Sequence, residues 1–466
     1  MRFFQIPGLI LTLLCFTLTL VHAQEEGKVH IGGYGSIRYE ANDLDNQVNT
    51  FTFRRFVMTT YVPITGRLSF LSELELERFR LLELEKKTEG ESGVTVEQAV
   101  EGTGGSEISL EQAWLQWELS SALRFRAGGI LVPLGRFNIN HDDNIWMFPR
   151  RSLVDRGAPV LPVKSAWDEL GMGFNGRFMV GEQAQLSYEM YVVNGMVLDV
   201  EVENKYRTRI DEGMKRVAEL KFEPFTGSFS SDAKEAKALT GRLALSPTLG
   251  TEVGLSGYYG RYTPQYLPAE QVGSVGVDFL INRGSLALEG EYIYTSMGDV
   301  RSVASAFAGQ VQNQVAEVVL EDPDGPGIED EIEVALSGLS DSRQGYWLEA
   351  RYAFSPAFLR GTVLGQEEQP LWYLGARWEQ VWYNNLVQEA AFADGALSEF
   401  VTSDRQVNRL SLGLTFRPTP LVGFQLAYER TWTADGQSLA DVVNFLAAEP
   451  DEDVAQAFLF GVTFGF

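Results

Sequence analysis

Between Leu131 and Glu169 the chain sets five cations, Arg136, Arg150, Arg151, Arg156 and Lys164, against five acids, Asp142, Asp143, Asp155, Asp168 and Glu169. These residue types bind or steer charged solutes. The planar fork of arginine grips phosphate or carboxylate through two parallel hydrogen bonds. Cations facing acids across a narrow space would orient a solute and focus the local field. A structural role competes with this one: the arginines would latch the segment onto acids elsewhere, with Glu73, Glu75 and Glu77 as natural partners. Arg156, beside Asp155, fits the latch better than the others. Trp146, Phe148 and Trp167 are open to a similar pair of readings, a stacking track for sugars or plain anchors.

His141, beside Asp142 and Asp143, has the makings of a metal ligand or a general base. Beyond the N-terminal segment the chain has one other histidine, His30, on a distant predicted strand. Catalysis requires a convergent nucleophile, base and orienting group, and no such set is visible. The expectation is therefore no catalytic residue, no metal and no cofactor.

A segment this long is unusual between ordinary elements, and structured examples are commonly functional. What lies on each side has to hold it. There the apolar period is two. Val422, Phe424, Leu426 and Tyr428 alternate with Gly423, Gln425, Ala427 and Glu429, and Leu68, Phe70, Leu74 and Leu76 run against Glu73, Glu75 and Glu77. Successive side chains of a strand point to opposite faces, so each strand has one apolar and one polar face. Sixteen strands are predicted, from Val29–Glu40 to Ala455–Phe466, though 14 or 18 also fit. Arg216–Glu223 has strand character but is assigned to a loop, and Ser355–Pro370 is long for its rim. Tight turns such as Pro63–Gly66, Ser120–Ala122 and Thr419–Leu421 alternate with long links such as 80–107, 131–169, 195–236, 297–344 and 384–406. Short turns at one rim and long loops at the other, joining spans near ten residues, predict an all-β transmembrane antiparallel barrel. Such a sheet must close, because lipid cannot satisfy a free edge. Leu131–Glu169 becomes its third long outer loop, folded into the pore.

Composition agrees with this reading. After the first two dozen positions there is no apolar run long enough for a membrane helix. Residues 1–23 read as a signal peptide, with Arg2, an apolar Ile10–Val21 and a Val21-His22-Ala23 cleavage site, leaving 24–466 as one barrel domain. The single cysteine, Cys15, falls in that signal, so disulfide and thiol chemistry are excluded from the remainder. The net charge is −25, and loss of Arg2 makes it one unit more negative. That excludes nucleic acid as a partner. The segment 297–344 is strongly acidic without regular calcium-ligand spacing and reads as a solvated loop.

The chain resembles the phosphate-selective porin O and P family. The matching stretches are FTFRRFVMTTYVPITGRLSF (51–70), LEQAWLQWEL (110–119), LRFRAGGILVPLGRFN (123–138), YEMYVVNG (188–195), LTGRLALSP (239–247), VGLSGYYG (253–260) and the terminal FGVTFGF. The resemblance implies a sixteen-stranded homotrimeric porin of the Gram-negative outer membrane, in contact with its lipid. It implies an inward third loop and passive diffusion of small hydrophilic solutes, phosphate or other anions among them. It also implies insertion by the barrel-assembly machinery through a terminal strand ending at Phe466. Family selectivity rests on basic residues lining the pore. The lumen wall predicted here is mixed, with Arg38, Arg55, Arg124, Arg126, Arg242, Arg351, Arg377, Arg409 and Arg417 facing Glu73, Glu75, Glu77, Glu289, Glu349, Glu379 and Glu429. The pore constriction and solute contacts are expected at Arg136, Arg150, Arg151, Arg156, Lys164, Asp142 and Asp143. Two alternatives stay open, a secreted soluble β-protein binding glycans and a barrel with enzymatic activity.

Overall fold

In a computed structural model of the chain, alternation of apolar and polar residues is realised as one closed sheet. The structure describes residues 27–45, 48–78, 82–89, 95–102, 107–209, 213–225, 235–306, 330–335, 339–359, 362, 371–393, 396–440, 442–443, 448 and 451–466. The signal segment 1–23 and much of the acidic segment 297–344 lie outside them.

Sixteen strands form the wall: β1 (His30–Asn42), β2 (Thr50–Thr65), β3 (Leu68–Glu77), β4 (Glu107–Ser120), β5 (Leu123–Leu131), β6 (Asp168–Val180), β7 (Ala184–Val193), β8 (Ala238–Thr248), β9 (Thr251–Arg261), β10 (Gln271–Arg283), β11 (Leu286–Met297), β12 (Ser342–Phe354), β13 (Leu371–Ala393), β14 (Ala396–Thr419), β15 (Val422–Thr433) and β16 (Val454–Gly465). Each pairs antiparallel with its neighbours in sequence order. Antiparallel pairing of β1 with β16, for example Ile37 with Val462, closes the ring. Among the described residues the sixteen-stranded wall has no unpaired edge, as a membrane requires.

The two faces divide as the sequence predicts. On β9 and β15, Leu255 and Leu426 point outward and are 57% and 56% exposed, while Ser256 and Gln425 are buried inside. On β16, Phe458 is 63% exposed and Phe460 and Phe466 join it on the outer face. The Phe466 ring stacks on Phe56 with centroids 5.7 Å apart. An exposed apolar band of this kind is what a barrel presents to hydrocarbon.

Three features differ from the sequence reading. The link 384–406 is strand over most of its length. β13 and β14 stay paired from Leu371–Arg417 out to Ala393–Ala396, with register shifts on the way. The apolar stripe stops at Tyr383 and resumes at Val407, which is where the sequence pattern ends the two strands. Backbone pairing continues where no lipid needs to be met. Arg216–Glu223 lies within a strand, Gly213–Phe225, outside the wall. It pairs antiparallel with Val197–Arg209 and parallel with Asp330–Ala335. Segments Leu82–Glu89 and Thr95–Gly102 form a further hairpin of their own.

Two irregularities inside the wall carry charge. Opposite β1, the register steps from Ser36–Arg55 to Ile37–Phe53, so Arg54 is an extra residue on β2. Opposite β3 it steps from Glu73–Gln112 to Leu74–Leu110, so Glu111 is extra on β4. A bulge of this kind re-aims a side chain. It turns both Arg54 and Arg55, and both Glu111 and Gln112, toward the lumen, where strict alternation sends one of each pair to lipid.

Candidate functional site: the loop inside the barrel

The chain leaves the wall at the end of β5 and returns at β6, and the neck between them is fastened. Val132 N–H donates to the Trp167 carbonyl at 2.9 Å. Asn138, buried between the two arms, donates to the Val132 carbonyl at 2.8 Å and accepts from Trp167 N–H at 2.9 Å. The turn inward is made at Gly135, whose φ of +77° suits glycine and whose missing Cβ would meet Ile293 at 2.8 Å. One helical turn follows, Arg136–Ile139. Glu291 of β11 accepts the Phe137 N–H at 3.1 Å, satisfying a donor left open at the start of the turn.

From there the loop crosses the lumen and runs along the inner wall of β11 to β15 and back to β1–β3. An irregular segment has no ladder for its carbonyls, and buried carbonyls need donors. The wall supplies them. Gln425 donates to the Trp146 carbonyl at 2.8 Å, Thr415 to Met147 at 2.7 Å, Arg377 to Arg150 at 2.7 Å and Thr295 to Val160 at 2.7 Å. In return Glu379 of β13 accepts the Leu153 N–H at 2.9 Å and also pairs with Arg409. Neighbouring wall charges on one face pair with each other, Arg351 with Glu349 at 3.5 Å and Arg377 with Glu379 at 3.4 Å.

The aromatic residues of the loop are anchors. Phe137 stacks on Trp146 with centroids 4.1 Å apart and planes nearly parallel, Trp347 of β12 meets both edge-on, and Trp167 packs on Tyr258. Trp146, Phe148 and Trp167 are all buried, so they offer no stacking track to a solute.

The predicted loop charges separate into two groups. Arg150 and Arg151 are buried. Arg150 binds Glu429 at 2.9 Å and pairs with Glu40, and Arg151 lies 3.6 Å from Asp143 and donates to Ser165 Oγ at 2.8 Å. Arg136 bridges Glu289 at 3.0 Å and Glu252 at 3.4 Å. Asp143 faces Arg55 at 3.9 Å and accepts from Ser36 at 2.7 Å. Burial opposes its ionisation, but Arg55 and Arg151 hold its carboxyl well below the usual range. Arg136, Arg150 and Asp143 fasten the loop to the wall, and Arg151 ties two arms of the loop together. Arg156, Lys164 and Asp142 reach solvent more freely. Lys164 is exposed and has no ion pair with a described residue.

One side of the lumen is basic. Glu77 on β3 receives Arg54 at 3.1 Å, Arg156 at 3.0 Å and Arg55 at 4.0 Å. Arg156 and Arg54 keep 26% and 14% of their side-chain surface exposed. Burial, and then the guanidiniums of Arg55 and Arg151, lower the pKa of Arg156 to about 10, so it stays charged at neutral pH. Further along the same row of β3, Glu75 retains one arginine, Arg55 at 2.9 Å. Glu73, four residues from Glu77 and therefore about 14 Å along the strand, has no arginine or lysine in ion-pair range among the described residues. There the lumen turns acidic, with Glu111 and Asp142 nearby. Arg124 and Arg126 line the wall at β5, paired with Glu118 at 3.0 Å and Glu189 at 3.7 Å, and Arg126 lies 4.2 Å over the Trp114 ring. Strict period two assigns Arg54 and Glu111 outward, and the two bulges bring them into the site. The charged doublet Arg54-Arg55 inside a membrane strand was the available signal.

No family model matches the chain. An uncharacterized protein of Aquifex aeolicus (strain VF5) is 27% identical over 168 residues, 36% of this chain, and the chain spans only 32% of that protein's length. Among solved structures, the anion-selective porin from Comamonas acidovorans is similar, with a TM-score of 0.50 and 10% identity over 95% of this chain and 100% of that one. The Salmonella typhi OmpF complex with daunomycin gives a TM-score of 0.47 at 10% identity, over 94% and 98% of the two chains. The chain has the fold of the porins, a closed sixteen-stranded antiparallel barrel with its third long loop folded inside.

Proposed function

We propose that the chain is an outer-membrane porin passing small hydrophilic solutes by passive diffusion, with a preference for anions, phosphate among them. The observation that carries the preference is the convergence of two part-exposed arginines, Arg54 and Arg156, on the single carboxylate Glu77, while Arg55 beside them is taken up by Glu75 and Asp143, which leaves local positive charge beside the loop. Two of these guanidiniums meet solvent, and their fork suits phosphate and carboxylate oxygens. The lining of a pore sets ion selection through such rings of charge. Arg136, Arg150, Arg151 and Asp143 hold the loop in place in this scheme, and Arg54, Arg156, Lys164 and Asp142 face the solute.

The same reading takes residues 1–23 as a cleaved signal and 24–466 as the mature barrel. It places the barrel in outer-membrane lipid as a homotrimer, and has β16 through Phe466 recognised by the barrel-assembly machinery. It assigns no enzymatic role. The apolar outer face favours it over a soluble glycan-binding protein.

Reversal potentials across a planar bilayer under a KCl gradient test the anion preference. The wild type is expected to favour chloride, and Arg54→Gln with Arg156→Gln is expected to weaken or reverse that preference. Cation preference in the wild type, unchanged by the double variant, would exclude it.

A further inference from the structure

The acidic end of the lumen holds a second constellation, formed by residues from two strands and the loop. The bulge on β4 turns Glu111 inward beside Glu73 of β3, and the loop lowers His141 onto both. One ligand atom from each of these residues lies within 4.8 Å of the other two, and all three residues are buried. His141 Nδ1 faces the Asn138 carbonyl at 3.0 Å, so Nδ1 carries the hydrogen and donates it. The other ring nitrogen, Nε2, is aimed at Glu111 Oε2 at 3.1 Å. In the neutral ring a lone pair thus confronts a carboxylate lone pair. Something positive must lie between them, a proton or a metal ion. A backbone carbonyl fixing the far nitrogen is the usual support of a metal-bound histidine.

A third acid, Glu75, lies within side-chain hydrogen-bond range of Glu111. No arginine or lysine among the described residues is in ion-pair range of Glu73 or Glu111. Glu73 is oriented by Gln112, which donates to it at 2.7 Å. A further oxygen, Asp142 Oδ1, stands 3.8 Å from Nε2. A tetrahedral zinc site, with ligands at about 2.0–2.2 Å, has donor atoms about 3.3–3.6 Å apart. His141 and Glu111, at 3.1 Å, would part slightly to admit the ion, and the pairs with Glu73, within 4.8 Å, would draw in.

We propose that His141, Glu111 and Glu73 bind a divalent transition-metal ion of the Zn²⁺ class, which ties the inward loop to β3 and β4. One imidazole and two carboxylates suit zinc and its neighbours. They suit calcium poorly, since it takes six to eight oxygens. Asp142 or water completes the coordination. The site is structural: it fixes the loop at its acidic end, as the arginines fix it at the basic end. Nothing in this assignment depends on which solute the pore prefers, and its test reads metal rather than current.

The test uses the full-length folded protein in detergent, stripped with EDTA, then dialysed against Zn²⁺ or Co²⁺ with excess Ca²⁺ present. About one Zn²⁺ per chain is expected, with Co²⁺ at the same stoichiometry giving visible d–d absorption. Loss of a supporting residue alone weakens metal sites about 10–100-fold, so Glu111→Gln and His141→Gln are expected to lose at least that much. Glu118→Gln, on the same strand but paired with Arg124, is expected to bind as the wild type does. Heat-modifiable gel mobility checks that each variant is folded. Sub-stoichiometric Zn²⁺ and Co²⁺ in the wild type would overturn the proposal and leave a proton between the groups. Wild-type affinity in folded Glu111→Gln or His141→Gln would overturn it equally. If either variant does not fold, the wild-type Co²⁺ stoichiometry and spectrum decide alone.

Discussion

Arg150 and Glu429 are 279 positions apart in the chain and meet at 2.9 Å inside the barrel. The first belongs to the loop and the second to β15, and Glu40 of β1 closes on the same guanidinium. The loop is therefore held to wall strands several places around the ring from its own neck. Breaking this contact tests how the pore is held narrow. Arg150→Ala is expected to leave the barrel folded, judged by heat-modifiable mobility, and to raise single-channel conductance and open-channel noise. Unchanged conductance would show that the remaining carbonyl contacts suffice.

Glu379 and Glu118 separate buried from exposed charge. Glu379 is buried among Arg377, Arg409 and the Leu153 N–H. Removing one partner of a buried pair typically costs about 3–5 kcal/mol, because a charge is left uncompensated. Glu118 and Arg124 keep 35% and 20% of their side chains exposed, and such pairs contribute about 0–1 kcal/mol. Glu379→Gln is expected to lower the temperature of heat modification clearly, and Glu118→Gln to leave it almost unchanged.

Much of the barrel was legible in sequence because lipid imposes period two on every span and turns at one rim are short. The spans from Leu68 to Glu77 and from Val422 to Thr433 show this plainly. The extension of β13 and β14 beyond Tyr383 was not legible. Outside hydrocarbon the apolar stripe is not required, and Asn384, Asn385 and Gln388 read as loop. Arg54 and Glu111 were hidden for a related reason: a bulge changes the face of a residue without changing its neighbours in sequence. The charge-rich loop was visible as a site. Which of its arginines fasten and which face solvent depends on contacts with strands hundreds of positions away.

Asp155 gives a pH dependence. It is buried in the loop, and that burial raises its pKa even though Arg151 pulls it down. A carboxyl raised in the folded state binds its proton more tightly there than in the unfolded chain. Its ionisation therefore removes stability as pH rises from the ordinary carboxyl range, about 4. Asp155→Asn is expected to remove this loss, so that the variant gains on the wild type as pH increases. Melting curves of both proteins between acid and neutral pH check it, and parallel curves would refute it.

The outer face can be tested by a single charge. Leu255 lies mid-strand on β9 and points away from the lumen. Arginine on the lipid face of a barrel costs about 2–4 kcal/mol at the membrane midplane and much less near the interface. Leu255→Arg is expected to unfold at a lower denaturant concentration than Ser256→Ala, its neighbour on the lumen side. Equal midpoints would place Leu255 away from hydrocarbon.

The seating of Arg150 also dictates an order of assembly. Its two carboxylates come from strands near opposite ends of the chain, and they become neighbours only when β1 pairs with β16. Contacts that span so much chain form late, because loop closure has to come first. The Arg150 clasp thus cannot be completed in an unclosed sheet. Closure of the ring therefore sets the last of the loop's fastenings, and an assembly intermediate stalled before it would carry an inward loop with Arg150 held from one side only.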